Sequence, residues 1–191
     1  MGNRGGRIHD PQTRELHRTK RWSSRQWICC RTDFNNRQRQ VMGSGYTELF
    51  FLDEVTALAS GHRPCFECRR NDFLDFADRW RKVARRRKRL TAKQMDDTLH
   101  EERLSEGQKR VHRLFWDELP NGAMIAHDGG AVAKFDGAPL LWTTTGYESL
   151  EKDLFEDHLV SCLTPPSILA VLKHGYSPQW HVKTEKTPLQ V

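Results

Sequence analysis

The run Gly61-His62-Arg63-Pro64-Cys65-Phe66-Glu67-Cys68-Arg69-Arg70 constrains this chain more than any other stretch. Two cysteines separated by two residues turn their sulfurs toward one point, and thiolate is the ligand that a borderline-soft dication such as zinc prefers. Ahead of the turn, Leu52, Val55, Leu58 and Ala59 recur at helical spacing, with Asp53 placed to cap the start of a helix and Gly61 to end it. The expected order is a short strand at 49–52, a short helix, a glycine stop and a metal knuckle. The same spacing also suits two reduced, buried thiols or a redox pair. A redox pair normally follows a strand and opens a helix, whereas helix, glycine and Arg-Pro lead into this motif.

Further thiols lie upstream in Trp27-Ile28-Cys29-Cys30. Neighbours on a strand point to opposite faces, so one of Cys29 and Cys30 is expected to reach the metal. Residues 46–70, above all Gly61-His62-Arg63-Pro64-Cys65 with Cys68-Arg69, resemble the second half of the metal-binding domain of the Ada DNA-repair methyltransferase family. The resemblance implies a four-thiolate zinc site in a treble-clef-like module, where an upstream cysteine takes a methyl group from a DNA phosphotriester. In this chain it implies Cys65, Cys68 and Cys29 or Cys30 as ligands. The chain departs from the family in having its upstream cysteines adjacent, with Asp33 where the second would fall. Asp33, His9, His62 and Cys162 are the candidates for a fourth ligand. An Asp or His there makes the site less negative and its sulfur a weaker nucleophile, so a structural or DNA-sensing site is expected rather than a methyl acceptor.

Net charge is +6 with a pI near 9.2, which favours a polyanion as partner, and the resemblance implies DNA more than RNA. Residues 1–21 read as a basic flexible arm carrying Arg4, Arg7, Arg14, Arg18, Lys20 and Arg21 around Gly5-Gly6. Residues 27–42 read as a hairpin about Asn35-Asn36, with Arg31, Arg37 and Arg39 beside the metal. A helix is expected from Asn71 to about Arg89, with an apolar stripe of Phe73, Phe76, Ala77 and Trp80. It runs into RRRKR, whose charges no core needs. The residues expected to meet phosphate are Arg31, Arg63, Arg69, Arg85, Arg86 and Arg87.

Residues 95–118 read as helical, broken at Gly107, and contain His100-Glu101-Glu102. These three are the weak catalytic candidates of a competing expectation, a metal-dependent nuclease or hydrolase. They do not form the His-Glu-x-x-His pattern of helical zinc proteases. After Pro120-Asn121-Gly122 the apolar period changes to two, giving three short strands of an antiparallel meander split by Gly129-Gly130 and Asp136-Gly137, ending at Gly146-Tyr147. A strand around 160–162 and a helix at 167–173 follow.

The expected whole is α+β, a small treble-clef-like zinc module followed by helices and a short-stranded antiparallel meander. Its parts are the arm at 1–21, the zinc module at 22–90, and a remainder at 91–191 that packs against the module. Neither a dinucleotide-binding glycine motif nor a P-loop occurs, so no nucleotide cofactor is expected. No apolar run spans a bilayer, no secretory apolar region opens the chain, and five cysteines do not make a disulfide framework. A cytoplasmic zinc protein that binds nucleic acid, in DNA damage sensing or repair, is the leading expectation. A zinc-stabilised interaction module without nucleic acid is the second alternative.

Overall fold

The computed structural model describes residues 5–38 and 40–181 and the backbone of Gly2–Asn3. Arg4, Arg39 and the tail at 182–191 lie outside the described residues. The fold is α+β. Strands β1 (Gly2–Asn3), β2 (Ile28–Cys30) and β3 (Arg63–Pro64) form one small sheet, β2 antiparallel to β1 and parallel to β3. Helix α1 (Glu54–Ala59) precedes β3; α2 (Arg70–Val83) and α3 (Ala92–Arg103) follow it. Next come a hairpin, β4 (Leu104–Ser105) and β5 (Gln108–Lys109), and a six-stranded antiparallel sheet. That sheet holds β6 (His112–Phe115), β7 (Met124–His127), β8 (Gly130–Phe135), β9 (Ala138–Thr143), β10 (Gly146–Ser149) and β11 (Leu159–Cys162). Its order is β10-β9-β8-β7-β11-β6, and helix α4 (Pro166–Lys173) closes the described fold.

The local chemistry explains most element boundaries. Asp53 caps α1, its carboxylate accepting the Thr56 N–H at 2.9 Å while Thr56 Oγ1 accepts from the Asp53 N–H. Helix α1 ends in a Schellman turn: His62 N bonds to Ala57 O and Gly61 N to Leu58 O. Gly61 has φ +81°, and a Cβ there would stand 2.7 Å from Arg103 Cδ, so both backbone and packing require glycine. Helix α4 ends the same way around Gly175. The β7–β8 and β8–β9 turns place Asp128-Gly129 and Asp136-Gly137 at positive φ, the mirror turns that match strand twist.

Four expectations need correction. Helix α2 stops at Val83 rather than near Arg89, because Arg85 takes φ +48° and its turn closes by Arg86 N to Arg81 O and Arg85 N to Lys82 O. The stretch 95–118 is not one helix: α3 ends at Arg103, Glu106-Gly107 turn the β4–β5 hairpin, and residues 112–115 form β6. Among the described residues the expected hairpin at 27–42 does not form, since β2 pairs with β1 and β3, although Asn35 and Asn36 do turn the chain at positive φ. Residues 49–52 form no strand beyond a single bridge at Phe50. The meander, by contrast, gains a further strand in β10.

Residues 6–9, within the stretch expected as a flexible arm, are tethered, while 11–21 are exposed. Thr47 N donates to Gly6 O, Ile8 N to Thr47 Oγ1, and buried His9 bonds through its ring nitrogens to Thr47 Oγ1 and Gly43 O. The cysteine-bearing half and the sheet share their interior. One core joins Leu58 of α1, Phe73, Phe76 and Trp80 of α2, Met95 and Leu99 of α3, and Ile168, Val171 and Leu172 of α4. The other face of α1 presents Val55 and Ala59 to Met124 and Ala133 of the sheet. Among the described residues no helix is long and apolar enough to cross a membrane.

Candidate metal centre

Parallel pairing of β2 with β3 positions the thiols. Arg63 N donates to Trp27 O and Cys65 N to Cys29 O, both at 3.1 Å, so Cys30 leaves β2 beside the turn that carries Cys65. The turn closes by Arg69 N to Cys65 O and runs into α2. In consequence the Sγ atoms of Cys30, Cys65 and Cys68 lie within 4.8 Å of one another. Backbone amides point at them: Arg31 N donates to Cys68 Sγ at 3.3 Å, and the N–H groups of Cys68 and Glu67 donate to Cys65. This is donor chemistry suited to thiolates rather than thiols.

The surroundings act on the three sulfurs unequally. Hydrogen bonding from Cys30, then from the two amides, pulls Cys65 down to about 5 against its burial. Cys30, whose proton is held by the hydrogen bond to Cys65, is pushed up, as is Cys68 through burial. A bound dication removes the repulsion that prevents all three from ionising. The cluster can therefore hold a metal ion.

Cys29 is turned to the other face. Fully buried, it accepts from Arg69 Nη1 at 3.2 Å and donates to Arg63 O at 3.5 Å, and burial pushes its thiol up to about 12. Of the two adjacent cysteines, Cys30 joins the cluster and Cys29 does not. Nor do the four candidates for a fourth ligand. His9 is held by Thr47 and Gly43; His62 packs tilted against Trp27 and edge-on to Phe51; Cys162 bonds to Met124 O inside the sheet; Asp33 is exposed. Among the described residues the cluster comprises three cysteines. Cys65-x-x-Cys68 does follow a strand, two-residue β3, and opens α2, the order of a redox pair. The third converging sulfur is what distinguishes it from one.

Two arginines expected at phosphate are interior. Arg63, 4% exposed, clamps Asp96 of α3 through Nε–Oδ1 at 2.7 Å and Nη2–Oδ2 at 2.8 Å. Arg69, 2% exposed, lies 2.7 Å from Glu54 and 2.9 Å from Asp72. Both are ties between elements, since a buried guanidinium needs carboxylate partners. Arg31, Arg85, Arg86 and Arg87 are exposed. The residues missed in the sequence are the partners. Glu54, wholly buried, accepts from Tyr176 Oη at 2.7 Å and Gln179 N at 2.9 Å, so Cys29, Arg69, Glu54 and Tyr176 form one polar chain behind the thiol cluster. An acid directly after the helix cap gave no sign of this distant partner.

The catalytic candidates do not assemble either. Glu102 caps α4 from outside, accepting from Ser167 N at 2.9 Å and Ser167 Oγ at 2.6 Å. His100 packs edge-on against Trp22 at 4.6 Å and approaches Arg103 Nη2 through Nδ1 at 3.2 Å; burial and then Arg103 hold its pKa below the ordinary value. Glu101 is exposed. Each of the other two has a structural partner, and among the described residues no metal-ligand cluster includes them. No protein-family model, no curated protein and no solved structure matches this chain.

Proposed function

We propose that this protein is a zinc-binding protein that grips nucleic acid, with Cys30, Cys65 and Cys68 on the metal and a basic surface on phosphate. The convergence of three thiols under backbone N–H donors carries the metal half of the reading. Zinc is the choice because all three protein ligands are sulfur and the site is held by secondary structure on both sides. The Ada-like run at 61–69 supports a role in sensing or repairing damaged DNA.

The phosphate half rests on Arg85, Arg86, Arg87 and Lys88. All four are exposed, and among the described residues none has an Asp or Glu in ion-pair contact, whereas neighbouring Arg81, Lys82 and Arg89 each reach Asp78. They occupy the turn after α2, an exposed position that suits backbone contact without base reading. Neutralising Arg85, Arg86 and Arg87 to Gln should weaken binding to duplexes of any sequence. It should also flatten the slope of log K against log salt by up to about three units. An unaltered slope in a filter-binding or anisotropy series would remove this turn from the interface.

A further inference from the structure

A second site lies between the cysteine-bearing half and the sheet. It is a cleft of about 660 Å³, within the size range of small-ligand sites. Trp27, Phe51 and Trp142 supply aromatic wall; Arg21, Arg103 and Lys109 supply cations; none of the described lining residues is Asp or Glu. The cations are arranged with donors to spare. Arg103 is 1% exposed, lies over the Trp27 ring at 3.8 Å and donates to Gly61 O and Arg25 O, yet makes no ion pair among the described residues. Its buried Nε has no acceptor, and the same holds for the indole Nε1 of Trp142. Lys109 Nζ donates to Ala59 O at 2.8 Å and Leu163 O at 2.6 Å, leaving one of its three protons. Burial lowers the pKa of Arg103 against the weaker opposing pull of Asp96.

A cleft with flat aromatic walls, surplus donors and no acid suits a ligand that is both aromatic and anionic. We infer that it binds one nucleotide unit, at a strand end or an unpaired position, with the base against Trp142 and the phosphate on Arg103, Lys109 and Arg21. Stacking on aromatic and guanidinium planes is how proteins hold unpaired bases. The inference rests on the nucleic-acid reading for the source of the nucleotide, but uses neither the thiol cluster nor the turn at Arg85.

The test titrates the full metal-loaded chain with AMP, adenosine and inorganic phosphate, following tryptophan fluorescence. AMP should quench saturably and bind at least tenfold tighter than either fragment. Trp142→Ala should weaken AMP by about tenfold to a hundredfold, the worth of one stacked base. Arg21→Gln, a surface change, should weaken AMP and spare adenosine. The salt slope of duplex binding, compared alongside between wild type and the Arg85, Arg86 and Arg87 variant, reports on the turn separately from the cleft. Duplex binding with a normal salt slope but no AMP response would overturn the cleft assignment and leave the nucleic-acid reading standing. AMP binding unchanged in both variants would overturn it as well.

Discussion

Replacing Cys65 by Ser is expected to release the metal and unfold the half of the chain built on β2, β3 and α2. Cys65 is the thiol of the cluster that the backbone amides of Glu67 and Cys68 serve, and its sulfur is pulled down to about 5. A structural zinc site contributes on the order of 10 kcal/mol or more to folding, comparable to the whole stability of an ordinary domain. The loss should not stay local, because α1 and α2 share their core with α3 and α4. Far-UV circular dichroism should show one broad transition at a much lower temperature, and a strong chelator should give wild-type protein the same profile. Acid should do so too: ligation requires deprotonated sulfur, so metal is held at neutral pH and released as pH falls and protons compete for the thiolates. A Cys65→Ser variant melting at the wild-type midpoint would mean that the thiols bring no stabilising metal.

Arg69→Met should be the next most damaging change. It leaves Glu54, wholly buried, with Tyr176 and Gln179 as donors and no cation. Removing one member of a buried pair typically costs about 3–5 kcal/mol, because the remaining charge is stranded. The double variant Arg69→Met with Glu54→Gln should recover a substantial part, since the stranded charge is then gone. Denaturant titrations of the two single variants and the double variant measure this directly. A loss below about 1 kcal/mol in Arg69→Met would show that the pair is not a tie between α1 and α2.

Sequence alone revealed what depends on local chemistry. The Asp53 cap, the Gly61 stop, the Cys65–Cys68 turn and the period-two stretch from Met124 all hold, because each is decided by a few neighbouring residues. What depends on distant partners was hidden. Arg63 and Arg69 resemble phosphate contacts until Asp96 and Glu54 arrive from elsewhere in the fold. His100 and Glu102 resemble acid–base groups until Trp22 and Ser167 arrive. Helix α2 is shorter than its basic run suggests, since a residue as ordinary as Arg85 takes the left-handed position that ends it. The choice between Cys29 and Cys30 needed the β2–β3 register, which no spacing encodes.

The most direct measurement is the metal content of protein purified without chelator, by elemental analysis, for the wild type, Cys29→Ser and Cys30→Ser. The account predicts one zinc per wild-type chain. It predicts that Cys29→Ser keeps its metal, since that sulfur faces Arg69 on the other side of β2. It predicts that Cys30→Ser loses it, since that sulfur completes the cluster with Cys65 and Cys68. Metal-free wild type, or metal lost with Cys29 and kept without Cys30, would contradict the three-thiol centre on which the proposed function stands.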